Sequence, residues 1–320
     1  MQQFSRGFTD STPLLEQPEL LKQRAEEDGY LYFSQLIPRE RIENVRLDIL
    51  NIVEEFKWLD SDKAIMAGVA REGIKVMESP SKEWEAFYKR IICLESFNSL
   101  GFDERLTDVL KILLGPAVLP HCRKVCRLYS PTAGTYATPP HKDYTWTGGT
   151  PDAWTAWLPL GDLEYELGGL QIIAGSHKKN YVAKNGDERQ GWIIPEETMW
   201  DMKESYSMGD VVIFHSGVLH GGRNNSSNNR IRISADFRYQ DANMPIRSDS
   251  MCAHWNEKFK MDWTTIYSDW QEDNPHKYYW KKFTNVVSDS DGTFKQDVKK
   301  RFILHSIMAA FEKGGNNSEV

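Results

Sequence analysis

The sequence predicts a helical shell around a β core built as a sandwich or barrel. Three observations lead there. The first third carries apolar residues at helical spacing. From about Val118 the texture changes to short β-branched and aromatic runs punctuated by Gly, Pro and Asn. Short strands with turn signals between them suit an antiparallel sandwich or barrel better than a parallel α/β sheet.

Residues 18–27 are rich in Leu, Glu and Arg and stop at Asp28-Gly29, a helix-ending pair. Tyr30-Leu31-Tyr32-Phe33 is a short aromatic run that reads as strand. Over residues 39–58, Ile42, Val45, Ile49, Ile52, Val53 and Phe56 recur at helical spacing and predict a long amphipathic helix. Residues 84–94 and 105–114 repeat that pattern, the second ending at Gly115-Pro116. Core packing accounts for all of these stripes. The predicted strands are 124–129, 154–160, 169–173, 210–214 and 230–239, with 180–195 as a polar surface insertion. After Gln240 the chain is rich in Trp, Tyr and charge; 297–311 reads as a terminal helix and 314–317 as a fraying end. With no repeat and no linker, one domain is expected over 1–320: an N-terminal helical region at 1–117, a β core about 118–240 and a C-terminal helical extension 241–320.

Composition narrows the function classes. The chain has 40% hydrophobic and 27% charged residues, ordinary for a globular protein. A net charge of −7 argues against nucleic acid or an anionic membrane as the main partner. No apolar run approaches the roughly 20 residues that span a bilayer, and the first residues lack the apolar core of a secretory signal. Four cysteines (Cys93, Cys122, Cys126, Cys252) are too few for a disulfide scaffold. A soluble cytoplasmic protein is the expectation.

The chemistry concentrates at His141-Lys142-Asp143 and His220. Pro139-Pro140 disfavour helix on the approach, so 141–144 should be extended. His141 and Asp143 then face one way, Lys142 and Tyr144 the other. His220 follows the apolar run 209–214 and precedes Gly221-Gly222, where backbone can approach a ligand closely. Two imidazoles and one carboxylate with the remaining positions open suit non-haem Fe(II) oxygen chemistry. His215, at the strand end, is a rival ligand, but a histidine there more often packs in the core or supports another group. His177 reads as structural, and His121, His254, His276 and His305 lack ligand spacing. The alternating run 230–238 points Arg230, Arg232, Ser234, Asp236 and Arg238 to one face, opposite Ile231, Ile233, Ala235 and Phe237. That face must meet solvent or a polar site.

Further residues extend the pattern: Trp154-Thr155-Ala156-Trp157-Leu158-Pro159-Leu160, Leu167-Gly168-Gly169-Leu170, Gly175-Ser176-His177, Gly209-Asp210, and the order H-x-D, His, Arg. Together they resemble the phytanoyl-CoA dioxygenase family of Fe(II)/2-oxoglutarate-dependent oxygenases. The resemblance is strong from about Pro139 to Gln240, weaker through the N-terminal helices, and leaves the last eighty or so residues uncovered. It implies a double-stranded β-helix, the cupin-like jelly roll, mainly β with helices packed outside. It implies Fe(II) held by His141, Asp143 and His220, with 2-oxoglutarate and dioxygen as co-substrates and succinate and CO2 as products. The reaction implied is hydroxylation, desaturation or cyclisation at an unactivated C–H position of a small molecule. An arginine on the strand after the second histidine would anchor the far carboxylate of 2-oxoglutarate; Arg232 matches best and Arg230 is the alternative. Trp154 resembles the tryptophan that lines the co-substrate pocket. Lys142 departs from the glutamine many relatives carry between the ligands; with Tyr144 and Trp146 it is a candidate to meet substrate. The competing reading is a cupin-like protein that binds a small ligand without turnover, or with another metal. A non-catalytic relative would be expected to lose a ligand or the arginine, and this chain keeps them.

Overall fold

The computed structural model describes residues 4–74, 81–131, 137–283 and 286–287. The predicted terminal helix over 297–311 and the fraying end at 314–317 lie outside them.

Helices form where the apolar spacing predicted them. Pro18–Asp28 starts with proline in its first turn, and Gly29 ends it at φ 75°, its N–H returning to the Ala25 carbonyl. Arg39–Glu55 buries Ile42, Val45, Ile49, Ile52 and Val53. It stops short of the expected Trp58 because Lys57 takes a φ of 58°. The chain there turns inward and sets the Trp58 ring 4.7 Å from that of Phe87. Lys82–Cys93 is capped by the Ser81 hydroxyl, which accepts from Trp84 N–H, and Glu104–Leu114 follows after the short helix Glu95–Leu100.

Two sheets make the β core. The larger, six-stranded one runs Tyr30–Phe33, Val211–His215, Ala153–Pro159, Arg232–Asp241; the last strand's far edge is shared by Val118–Pro120 and Val125–Tyr129. The smaller, four-stranded one runs Ser5–Arg6, Trp200–Met202, Leu170–Ile172, His220–Gly222. Apart from the parallel Ser5–Arg6 pairing with Trp200 and Asp201, the strand pairs in both sheets are antiparallel. This is the jelly roll. The N-terminal region supplies a strand to each sheet: Tyr30–Phe33, as its aromatic run predicted, and Ser5–Arg6, which was not expected.

Strand alternation sorts the larger sheet into two faces. Leu31, Phe33, Ala156, Leu158, Ile213, Ile233, Ala235 and Phe237 face the helices and form the main apolar core with them. Tyr30, Tyr32, Trp157, Val212 and Phe214 face the smaller sheet and pack with Leu163, Leu170, Ile172 and Tyr206. The inner face continues along Arg232–Asp241 as Arg232, Asp236 and Arg238, which line a cavity together with Tyr129, Trp157 and Phe214. The charged face predicted from the alternation therefore exists, and it looks into the barrel.

The predicted insertion is a folded flap, a hairpin of Val182–Ala183 against Trp192–Ile193 with two short 3-10 turns between. After Gln240 the described chain makes short helical turns, such as Asn256–Phe259 and Trp263–Ile266, and a parallel pair of two-residue strands, Ile246–Arg247 and Val286–Val287, in place of long helices.

Candidate active site

His141 and His220 face each other because their backbones pair. His141 N–H donates to the His220 carbonyl at 2.9 Å, and His220 N–H returns the bond to His141 at 3.0 Å. The two prolines keep the approach extended. Gly221 and Gly222 let the opposite strand come close: a side chain at Gly222 would meet the Ala137 Cβ at 2.9 Å. What the glycines admit is the chain's own 137–140 segment. The extended reading of 141–144 holds only as far as Lys142. Asp143 opens a five-residue helix, Asp143–Thr147, because the constraining prolines lie behind it and Gly148, at φ 57°, closes the turn.

The three side chains still converge. His141, Asp143 and His220 each offer a ligand atom, all within 4.8 Å of one another, and could hold a metal ion. Their protonation suits that use. His141 Nδ1–H donates to the Pro139 carbonyl at 2.8 Å and His220 Nδ1–H to Val218 at 3.0 Å. Each Nε2 lone pair is left facing Asp143, 3.7 and 4.0 Å from its Oδ1. Burial, then the neighbouring His141, pushes the His220 pKa down to about 3, so its ring is neutral. Burial alone would raise the Asp143 pKa. The Arg238 guanidinium, His141 and His220 outweigh it and hold the carboxyl well below the usual range. Arg238 grips both carboxylate oxygens, at 2.8 and 3.1 Å, and the Thr155 hydroxyl donates to Oδ2 at 2.5 Å.

Deeper in the barrel Arg232 is 2% exposed. It stacks on the Tyr129 ring at 4.2 Å and donates one Nη1–H to the Arg223 carbonyl. Its Nε is buried with no acceptor among the described residues. Burial pushes its pKa down, yet guanidinium stays charged in proteins. A buried cation so placed needs an anion, and its fork suits a carboxylate. Arg232 and the three ligand residues line one cavity. Arg230 points elsewhere, to Glu164 at 3.0 Å near the surface.

Other expectations fare unevenly. Trp154 does not line the cavity: strand parity sends it into the core beside the helices, its ring against His215. Trp157, three residues on and of opposite parity, is the tryptophan at the cavity. Lys142 lies over the Trp192 ring at 4.6 Å, under the flap. Neither it nor Tyr144, whose pKa burial and Glu188 raise to about 12, lines the outer cleft. Trp146 does, 48% exposed. His215 packs against Trp154 and His177, outside the ligand group. Sequence reasoning misses Thr155 and His254. Thr155 is readable from the parity of its strand, whereas His254 reaches the cleft from a region without periodic signal.

A double-stranded β-helix whose cavity gathers two imidazoles, a carboxylate and a buried guanidinium whose Nε lacks an acceptor among the described residues defines the class of iron- and 2-oxoglutarate-dependent oxygenases. Comparison with known proteins agrees. Residues 25–234 match the family described as Phytanoyl-CoA dioxygenase (PhyH). The 1-deoxypentalenic acid 11-beta-hydroxylase of Streptomyces exfoliatus is 26% identical over 269 residues, 79% of this chain and 91% of that protein. Its namesake from Streptomyces arenae is 26% identical over 272 residues, with the same coverage. Among solved structures, the epimerase SnoN in complex with Fe3+, alpha ketoglutarate and nogalamycin RO shares the fold, with a TM-score of 0.52 and 17% identity over 72% of this chain and 85% of that one. The chain belongs to the phytanoyl-CoA dioxygenase family. It is an enzyme, an Fe(II)/2-oxoglutarate-dependent oxygenase acting on a small molecule.

Proposed function

We propose that the chain oxidises an unactivated C–H position of a compact small molecule, with iron held by His141, Asp143 and His220 and 2-oxoglutarate anchored by Arg232. One observation carries this reading: three ligand atoms within 4.8 Å open onto the cavity where a buried guanidinium has an Nε without acceptor. Bound iron supplies the site at which dioxygen is activated at the expense of 2-oxoglutarate, which leaves as succinate and CO2.

The chain's own residues do the rest. The Nδ1–H bonds hold both histidines in the tautomer that exposes Nε2. Arg238 and Thr155 hold the Asp143 carboxylate ionised and fixed in rotation. Arg232 receives the far carboxylate of the oxo-acid, and Trp157 and Phe214 keep that end of the cavity apolar. Asp143 fills the position that halogenating relatives of this fold leave to chloride, which favours hydroxylation, desaturation or ring closure. The relatives named as hydroxylases of deoxypentalenic acid favour hydroxylation among these. Four free cysteines suit a reducing cytoplasm, and no helix among the described residues is long and apolar enough to cross a membrane.

The test is succinate formation from 2-oxoglutarate with Fe(II) in air and under nitrogen, beside calorimetric binding of 2-oxoglutarate. Oxygen-dependent succinate and saturable binding are expected. A protein that does neither is no oxygenase.

A further inference from the structure

The cleft outside the ligand group has one wall that does not belong to the barrel. His141 and Asp143 line it, and so does the flap, through Lys184, Glu188, Arg189 and Trp192. Its volume, about 560 Å³, falls in the range of roughly 300–1,000 Å³ for small-molecule sites. How firmly the flap is held therefore decides the room a substrate has.

The tip of the flap is bonded chiefly to itself. Lys184 N–H donates to the Gly191 carbonyl at 2.9 Å, Asn185 Nδ2–H to Gln190 Oε1 at 2.9 Å, and Arg189 N–H to the Asp187 carboxylate at 3.0 Å. Among the described residues, one hydrogen bond leaves residues 184–191: the Thr145 hydroxyl donates to Glu188 Oε2 at 2.7 Å. At the root, Trp192 is 7% exposed and packs with Ile173, Trp200 and Leu219. Its Nε1–H has no acceptor among the described residues. Ring contacts alone hold the indole there, and one of them is cationic: Lys142 Nζ stands over the ring at 4.6 Å.

Both tethers start from one short stretch of chain. Lys142 lies between the ligand residues His141 and Asp143, and Thr145 follows Asp143 by two. The extended approach turns Lys142 away from the ligand group while His141 turns toward it. The helix that Asp143 opens then carries Thr145 to the flap. Residues 141–145 thus give two side chains to the ligand group and two to the flap. An ion held by His141 and Asp143 would fix the backbone that carries both tethers. A tether on an ordered base loses less entropy when it closes.

We propose that Lys142 and Thr145 are positioning residues that latch the flap over the cleft, and that filling the ligand group tightens this latch. The tightening rests on the oxygenase reading, whereas the latch stands without it. Lys142 acts on specificity through Trp192, by fixing the wall a substrate must fit. The coupling is reciprocal: a flap closed on substrate holds metal and oxo-acid more firmly.

The test is limited trypsin digestion of full-length protein under nitrogen. Lys184 and Arg189 are exposed at the tip, and mass spectrometry follows the cuts after each. Cutting of a transiently opened segment tracks the population of the open form. Lys142→Gln should speed both cuts about three- to tenfold, the range of one cation–π contact, and Lys142→Arg should bring them back toward the parent rate. Thr145→Val should speed them about threefold or more, with Thr145→Ser restoring the parent rate. Mn(II) with 2-oxoglutarate should slow the cuts in the parent by about threefold or more, and barely at all when Lys142→Gln and Thr145→Val are combined. Residues that only stabilise the fold would leave that protection unchanged. Should Lys142→Gln fail to fold, Glu188→Ala severs the other tether from the flap side and should match Thr145→Val. Parent-like cutting in the variants overturns the latch. Equal protection of parent and double variant overturns the coupling. A parent protein that binds no 2-oxoglutarate by calorimetry strikes the oxygenase reading instead, and the unloaded digests still decide the latch.

Discussion

Arg230 and Arg232 share a face in the sequence pattern but not a fate in the fold. Arg230 precedes the strand and reaches Glu164 in partial solvent, while Arg232 is the first residue of the strand and points into the barrel. Arg232→Ala should weaken 2-oxoglutarate by about 2–5 kcal/mol, the cost of removing one partner of a buried charge pair. Arg230→Ala should leave it unchanged and cost at most about 1 kcal/mol of stability. Calorimetric titration of both variants checks this, and equal losses would reassign the anchor. Thr155→Val removes the hydroxyl on Asp143 Oδ2 with little change of volume. Metal affinity should fall by roughly 10- to 100-fold, read by Mn(II) or Co(II) titration without turnover; unchanged affinity would limit Thr155 to packing. The grouping of His141, Asp143 and His220 was legible because residue type, spacing and chain order are local properties. Trp154 was misplaced because resemblance says that a tryptophan lines the pocket, while only the pairing of its strand says which of Trp154 and Trp157 does.

At the scale of elements, the strand Arg232–Asp241 separates two chemistries. Its even positions Arg232, Asp236 and Arg238 meet the cavity, and its odd positions Ile233, Ala235 and Phe237 meet the helices. A slip of one residue would exchange them, so the apolar face fixes the site's geometry. Phe237 anchors it, 1% exposed and 5.5 Å from the Phe97 ring of the helix Glu95–Leu100. Phe237→Ala should cost about 3–5 kcal/mol, measured by urea unfolding, and a loss below about 1 kcal/mol would show that the register does not depend on it. Strong periodicity made this strand and the long helices readable. The strands Trp200–Met202 and His220–Gly222 carry three residues each and exist only through partners far away in sequence. The helix Asp143–Thr147 is likewise too short for a periodic signal.

For the whole molecule, acid is the condition that tests the buried histidines. Burial brings His121 and His215 from 6.5 to about 4. The folded state keeps both rings uncharged, whereas the unfolded chain takes up protons once the pH drops below about 6.5. Their contribution is complete above that pH and is lost as it falls toward 4. Each is worth roughly 3 kcal/mol at most, large beside a total stability of about 5–15 kcal/mol. The Tm of metal-free protein should therefore drop steeply between pH 6.5 and 4.5, and a flat profile would contradict the burial of these rings. The jelly-roll architecture itself was readable from the run of short strands, and the resemblance named it. Tyr30–Phe33 was readable as a strand from its aromatic run, but not its place beside Val211–His215, and Ser5–Arg6 was not readable at all, since a two-residue edge pairing leaves no trace in local composition.

The reciprocal main-chain hydrogen bonds between His141 and His220 have a practical consequence. They clasp two stretches of chain distant in sequence through main-chain bonds that use neither imidazole, so the pairing of the two histidines does not itself depend on a bound ion. Ions should come and go through a standing doorway, at no cost in refolding. A chelator ought to silence such a protein while barely moving its melting point.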